Sequence, residues 1–297
     1  MKKLCVWILC ILLFISNLNG CATDLETPTE VQTEPTVSAT LAPVMTDPPA
    51  TEPPETVAQT DPPEPTVSVL GEAPGSKLEY YYSNEYDDYL YYYIHIPENA
   101  IDGMPLIVYL HGDGEVNDPE SLLKRGTSML VKQIYGESFP FILLEPNTRI
   151  ESWTYGDIPE LLFELINRVA VGYSVNMDKI ILTGHSRGAM GVWDMISIYG
   201  GFFSAAVPIS SPHQKDHIDY IKAAEVPVWT FAGNVGEIEC WYHRHLAQNV
   251  DQITVSGGYG KFTILKGCDH GEAKVAAYSK ETFEWMLAQQ RGVIPEG

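Results

Sequence analysis

The sequence predicts an α/β protein with a mainly parallel sheet that is covered by helices on both faces. From residue 106 onward, short apolar and β-branched runs alternate strictly with stretches of helical pattern. Before that point, two Tyr-rich segments, 78–82 and 89–96, flank a polar turn. Aromatic and β-branched residues over such lengths predict an antiparallel hairpin at one edge of the sheet.

The other elements follow in chain order. The predicted strands are 106–110, 141–144, 180–183, 205–209, 226–231 and 262–265. The predicted helices are 119–135, 157–171, 189–199, 213–224, 239–250 and 273–290. About 220 residues from Lys77 to the end suit one globular domain, so we assign 77–297 to it.

The first 20 residues predict an export signal. Lys2 and Lys3 precede an apolar run, 4–15, that is too short to span a bilayer. The small residues before Cys21 resemble a bacterial lipobox. We therefore expect cleavage before Cys21 and lipid on that residue, which would anchor the protein to the outer face of a bacterial membrane. The alternative is a plain secretion signal with an incidental cysteine.

Residues 21–76 have the composition of a disordered tether. Thr, Pro, Glu, Ala and Val dominate, with ten acidic residues, no Lys or Arg and no aromatic residue. Such a segment buries too little apolar surface to offset its ordering entropy. Proline and charge repulsion extend it, so we expect it to hold the globular domain away from the membrane.

Charge excludes some partners. The formal net charge is −21, and residues 77–297 hold 29 acidic against 16 basic residues. This balance argues against nucleic acid and against polyanionic substrates. No cluster resembles a metal site, so we expect neither metal nor cofactor. The sequence leaves the oligomeric state open.

The most specific motif is Gly184-His185-Ser186-Arg187-Gly188. It follows the predicted strand 180–183 and precedes the predicted helix 189–199. Strand, sharp turn and helix are the context of a nucleophile elbow, in which glycines permit the turn and the serine is exposed. We therefore expect Ser186 to be a nucleophile; an ordinary glycine-rich turn is the alternative.

A second motif, His111-Gly112-Asp113-Gly114, follows the strand 106–110. Acyl transfer needs two backbone N–H groups directed at the developing oxyanion. One should come from Arg187, the residue after the nucleophile, and the other from Asp113 or Gly112.

These motifs carry a family resemblance. The runs PLIVYLHGDGE, GHSRGAMGVWDM, FFSAAVPISS and CDHGEAKVAAYSKETFEWMLAQQ resemble bacterial esterases of the α/β-hydrolase fold. The groups in question are the carboxylesterase, polyhydroxybutyrate-depolymerase-like and feruloyl-esterase-like families. The resemblance covers roughly residues 78–291 and implies a Ser-His-acid triad in the chain order serine, acid, histidine.

Base and acid should therefore lie downstream of Ser186. His270 occupies the loop between the last predicted strand and the last helix, where the base is expected. The family usually has F-H-G-x-x-D after the strand that supplies the acid. This chain has Phe231-Ala232-Gly233-Asn234-Val235-Gly236-Glu237, so Gly236 stands where the Asp is expected and Glu237 follows one residue later. We predict Glu237 as the acid, Glu239 as the second choice and Asp216 as the third. A chain without a triad acid is a further alternative.

Two cysteines remain in the globular domain, Cys240 and Cys268. If acid and histidine loops are neighbours, a Cys240–Cys268 disulfide would join them. Two unrelated, partly buried cysteines are the alternative.

Trp153, His111 and His213 are candidates for the substrate cleft, and Trp153 is equally well explained by core packing. Short connections leave no visible lid. We expect a serine carboxylesterase that acts on short-chain or aryl (acetyl- or feruloyl-type) esters, including esters on polysaccharide. The alternatives are a serine peptidase of the same fold and a non-catalytic surface binding module.

Overall fold

Eight strands form one twisted layer at the centre of the protein. The computed structural model describes residues 73–150, 152–213 and 218–296. The strands are β1 (Gly75–Ser83), β2 (Asp88–Ile96), β3 (Leu106–Leu110), β4 (Ile142–Asn147), β5 (Ile180–His185), β6 (Ala205–Ile209), β7 (Val228–Gly233) and β8 (Gly260–Leu265). Their order across the sheet is β1-β2-β4-β3-β5-β6-β7-β8.

The direction of the strands confirms the predicted fold class. Strands β3 to β8 are mutually parallel. The hairpin β1–β2 is antiparallel and joins the parallel part through antiparallel pairing of β2 with β4. The α-helices are α1 (Leu122–Arg125), α2 (Ser128–Tyr135), α3 (Ile158–Gly172), α4 (Arg187–Tyr199), α5 (Tyr220–Ala223), α6 (Glu237–Val255), α7 (His270–Ala277) and α8 (Lys280–Ala288).

Helices cover both faces of the sheet, which explains the uninterrupted apolar runs of the central strands. In β3, Leu106, Val108 and Leu110 pack with α3, α4 and α6, and the alternate residues Ile107 and Tyr109 pack with α2 and α8. All five are fully buried. A parallel strand that is buried on both faces has no polar side in its sequence.

One predicted helix, 119–135, is broken at Gly126 and Thr127, and the cause is a buried carboxylate. Glu145 accepts hydrogen bonds from the backbone N–H groups of Thr127 (2.6 Å) and Ser128 (3.1 Å), and His95 bonds its other oxygen at 2.8 Å. A Cβ atom at Gly126 would lie 2.5 Å from Glu145 Oε1. The Glu145 carboxylate therefore caps α2 at the cost of a continuous helix.

Two other predicted helices are shorter than expected. The terminal helix, predicted as 273–290, divides into α7 and α8 because Ser279 caps a new helix by accepting from Thr282 N. Of the helix predicted over 213–224, the described residues keep only α5, and residues 214–217, which include Asp216, lie outside the described part. The predicted signal, tether and Cys21 also lie outside it. Within the described ranges, no helix has both the length and the apolar character needed to cross a membrane.

Candidate active site

The turn between β5 and α4 has the geometry of a nucleophile elbow. Ser186 has φ 57° and ψ −118°, a conformation that costs a non-glycine residue about 1–3 kcal/mol. The glycines are required by close approach. A Cβ atom at Gly188 would lie 1.9 Å from the carbonyl oxygen of Leu110, and one at Gly184 would lie 2.6 Å from the Gly188 backbone. The motif therefore brings the turn against β3 and exposes the Ser186 hydroxyl beyond the strand end.

His270 lies within hydrogen-bond distance of this serine. Its Nε2 is 2.9 Å from Ser186 Oγ, and its Nδ1 is 2.6 Å from Glu239 Oε1. His270 is the first residue of α7, and the preceding Asp269 caps that helix by accepting from Gly271 N and Glu272 N, both at 2.9 Å. This capping box turns the Asp269 carboxylate away from the imidazole and fixes the position of His270.

The carboxylate that contacts His270 belongs to Glu239, the second choice from the sequence, and the prediction of Glu237 needs correction. Glu237 is exposed, whereas Glu239 is fully buried. Helix α6 begins at Glu237, and side chains two positions apart on a helix do not face the same way. Once a helix starts at Glu237, only Glu239 can point at the imidazole.

Glu239 is fully buried and is held by three hydrogen bonds. Besides His270, its carboxylate accepts from Gly233 N at 2.5 Å and from Ser210 Oγ at 3.1 Å. It also lies in the first turn of α6, where the helix dipole favours negative charge. The buried charge is thus paired and hydrogen-bonded, as a buried carboxylate must be.

The predicted oxyanion donors, Arg187 and the segment Gly112-Asp113, lie on either side of Ser186. Arg187 is the first residue of α4, and the N–H groups of a first turn point out of the helix. The backbone of Gly112 lies beside Ser186, and a Cβ atom on Gly112 would be 3.5 Å from Ser186 Cβ. The loop therefore offers two candidate donors, Gly112 N and Asp113 N, as the sequence predicts. The side chains of Arg187 and Asp113 form a two-point ion pair that joins the two segments.

His111 and Trp153 support this loop from below and are not exposed to a substrate. Both are 1 % exposed, so their assignment to the substrate cleft is corrected. His111 Nε2 accepts from Thr148 N at 3.1 Å, and its Nδ1 donates to the Gly112 carbonyl at 2.6 Å. Trp153 Nε1 donates to the His111 carbonyl at 2.9 Å. Together these bonds fix the loop that carries Asp113.

His213, the third candidate for the substrate cleft, also has a buried side chain, so its assignment to the cleft is corrected as well. Its side chain is 4 % exposed and its Nε2 lies 2.6 Å from Asp194 Oδ1 on the elbow helix. The neighbouring Trp193 donates to the Ser211 carbonyl at 3.1 Å. Trp193 and Asp194, both on α4, thus anchor the segment that follows β6 through its residues Ser211 and His213.

Burial keeps two histidines of the site neutral. Desolvation lowers the pKa of His111 to about 4. Desolvation, followed by the effect of the adjacent His270, lowers the pKa of His185 to about 3. The neutral His185 donates from Nε2 to the His270 carbonyl at 2.9 Å. At neutral pH both side chains therefore act as fixed hydrogen-bond partners.

The acid and histidine loops are neighbours, but no disulfide between Cys240 and Cys268 joins them. Cys268 is a free thiol, so the predicted pair is wrong. The Cys268 carbonyl makes the link instead, because it accepts from Asn234 N and Val235 N, both at 3.1 Å. Cys240 lies within α6, with Sγ 3.9 Å from the Asn234 carbonyl. Among the described residues, no group of three or more His, Cys, Asp or Glu side chains could hold a metal ion.

Comparisons with known proteins agree with this architecture. No family model matches the chain, and no curated protein matches it in sequence. A thermostable esterase superimposes with a TM-score of 0.64 at 21% identity, over 73% of this chain and 63% of that one. A ferulic acid esterase gives 0.53 at 17%, over 72% and 98%. The feruloyl esterase module from Clostridium thermocellum, complexed with sinapinate, gives 0.54 at 12%, over 79% and 94%. Sheet order, nucleophile elbow and these similarities together show that the chain has the α/β-hydrolase fold.

Proposed function

We propose that the protein is a serine ester hydrolase that cleaves short-chain or aryl carboxylic esters. The observation that carries this proposal is the continuous relay from Ser186 Oγ through His270 to Glu239, with contacts of 2.9 and 2.6 Å. Serine is a weak nucleophile unless a base accepts its proton and a third group orients that base. The relay supplies both.

The reaction follows from the positions of these groups. Ser186 Oγ attacks the ester carbonyl carbon while His270 Nε2 takes the hydroxyl proton. The backbone N–H group of Arg187, together with that of Asp113 or Gly112, holds the oxyanion of the tetrahedral intermediate. Collapse releases the alcohol, which takes the proton from His270, and leaves an acyl group on Ser186. Water then attacks the acyl carbon while His270 Nε2 takes its proton; the bond to Ser186 Oγ breaks, Oγ takes the proton back from His270, and the acid is released.

Glu239 stabilises the imidazolium that forms in both steps. Its Oε1 accepts from Nδ1, which fixes the tautomer in which Nε2 is free to accept the serine proton. Gly233 N and Ser210 Oγ hold the other carboxylate oxygen, so the acid cannot turn away when His270 is charged.

The ester class rests on two arguments. The similar structures include a ferulic acid esterase and a feruloyl esterase module, which supports an aryl acyl group. The excess of acidic residues disfavours polyanionic substrates and is compatible with neutral ones.

We also propose that the protein is exported and anchored through lipid on Cys21, with residues 21–76 as the tether. A Cys21→Ser variant should move from the membrane fraction to the soluble fraction of the cells. Equal membrane retention of parent and variant would contradict the anchor.

An activity panel tests the reaction. Purified protein should hydrolyse p-nitrophenyl acetate, p-nitrophenyl butyrate and methyl ferulate, and Ser186→Ala should abolish all three activities. A variant that hydrolyses p-nitrophenyl acetate at the parent rate would refute the proposal. Cleavage of a p-nitroanilide peptide with a higher kcat/KM than any ester would favour a peptidase.

A further inference from the structure

A cavity of about 240 Å³ lies beside β2 and β4. Its lining residues are Asp88, Tyr89, Arg149, Ile150, Tyr155, Gly156, Asp157 and Ile158. One water molecule takes about 30 Å³ of liquid volume, so the cavity has room for a ring-sized group. None of the reaction steps above uses these residues.

The cavity lies on the same edge of the sheet as Ser186. Arg149, Ile150 and residues 155–157 follow the carboxyl end of β4, and Asp88 and Tyr89 begin the antiparallel β2 alongside it. Strand β4 is separated from β5 by β3 alone. Two strand spacings amount to about 10 Å, so the cavity lies beyond the immediate surroundings of the serine.

The loop that lines the cavity is also hydrogen-bonded to the oxyanion loop, the segment His111-Gly112-Asp113. Thr148 N donates to His111 Nε2, and Trp153 Nε1 donates to the His111 carbonyl. These two bonds flank Arg149 and Ile150. A ligand in the cavity would therefore occupy a fixed position relative to the reacting ester.

The lining combines aromatic faces with paired charges. Tyr155 is 72% exposed and lines the cavity. The Arg149 guanidinium lies over the Tyr89 ring, with Cζ 4.1 Å from its centroid, and forms an ion pair with Asp88. Guanidinium and carboxylate neutralise each other but keep spare hydrogen-bond donors and acceptors.

We propose that this cavity is a subsite for a neutral sugar ring in the alcohol part of the ester. Such a ring presents C–H faces to aromatic side chains and hydroxyl groups to the Arg149–Asp88 pair. The proposal rests on the proposed function and sharpens it, because a substrate that fills both places is an acylated oligosaccharide or polysaccharide. The net negative charge of the chain agrees with a neutral rather than an acidic glycan.

Kinetics with Tyr155→Ala test the subsite, and Tyr80→Ala is the matched control. Tyr80 is 61% exposed but lies in β1 and does not line the cavity. On p-nitrophenyl acetate, which is too small to reach the cavity, both variants should keep kcat/KM within about twofold of the parent. On a mixture of acetylated xylo-, manno- and cello-oligosaccharides, Tyr155→Ala should lower kcat/KM about tenfold, through KM, and Tyr80→Ala should not.

Binding to inactive protein separates this proposal from the proposed function. Ser186→Ala should bind the unesterified oligosaccharides in calorimetry, and Ser186→Ala with Tyr155→Ala should not. If the parent hydrolyses no ester, the proposed function fails while the binding result still reports on the subsite. Three kinetic results for Tyr155→Ala would overturn the sugar subsite. They are an equal loss of kcat/KM on both substrate types, a loss on neither, and a selective loss on methyl ferulate, which would place the acyl group in the cavity.

Discussion

Replacing Glu239 with Gln should remove most of the activity, whereas replacing Glu237 with Gln should not. The two glutamates stand two residues apart in the same helical turn, but only Glu239 bonds His270. Glu237→Gln removes the same charge from the same segment at an exposed position. It is therefore a matched control for the change in charge and composition.

The expected loss follows from the contact itself. In the transition state His270 is an imidazolium whose Nδ1 lies 2.6 Å from the Glu239 carboxylate. The His270 side chain is 35% exposed, so an effective dielectric constant near 20 applies, and charge centres about 4 Å apart attract by about 4 kcal/mol. This corresponds to a factor of about 10³ in kcat. Loss of tautomer control raises the expected factor to about 10³–10⁴.

The assay is the initial rate of p-nitrophenyl acetate hydrolysis, with thermal unfolding measured in parallel. Gln keeps the volume of Glu, and its carbonyl oxygen can still accept from Gly233 N, so we expect the fold to persist. Glu237→Gln should stay within about twofold of the parent. A Glu239→Gln variant that is folded and retains more than a tenth of the parent rate would refute the assignment, as would a large loss in Glu237→Gln.

Three further predictions concern stability. Burial lowers the pKa of His111 to about 4 and the pKa of His185 to about 3, whereas both histidines have a pKa near 6.5 in the unfolded chain. As pH falls below 6.5, the unfolded chain therefore binds protons that the native protein does not. Urea unfolding should therefore show stability that is full above pH 6.5 and falls by about 1.4 kcal/mol per pH unit for each group toward pH 4; a pH-independent midpoint would contradict this. Glu145→Ala leaves buried N–H groups and His95 without their acceptor and should cost about 3–5 kcal/mol in the same assay, and a loss under 1 kcal/mol would show that the network contributes little. Gly188→Ala should give little folded protein on expression, since its Cβ would lie 1.9 Å from Leu110 O, and a soluble variant with parental thermal stability would disprove that close approach.

Local patterns were sufficient for the sheet and for most of the candidate site. Short apolar runs mark β3 to β8 and Tyr-rich segments mark β1 and β2, and the elbow glycines and the loop before α7 are also recognisable from local sequence. Ser186 and His270 were identified because each follows a strand end, where parallel strands bring side chains to one edge.

The acid was misplaced because its position depends on where a helix begins. The sequence pattern predicts a helix from Glu239, whereas α6 starts at Glu237, and this shift of two residues decides which carboxylate faces inward. Gly233 N and Ser210 Oγ, which hold that carboxylate, come from two separate strand ends and leave no local pattern.

Burial explains the other corrections. Trp153 and His111 lie on site-bordering loops, but nothing in their local sequence reveals that both point beneath the oxyanion loop. Tyr155, two residues after Trp153, is the exposed aromatic residue of that loop and was not singled out. For Cys240 and Cys268, the loops meet as expected, but a backbone carbonyl rather than a thiol makes the contact.

Covalent labelling with a fluorophosphonate, followed by peptide mass spectrometry, tests the central claim that Ser186 is an activated nucleophile. One residue, Ser186, should be modified, with labelling abolished in Ser186→Ala and strongly slowed in His270→Ala, whose serine has lost its base. Absence of label from folded parent protein, or equal labelling of the parent and Ser186→Ala, would contradict it.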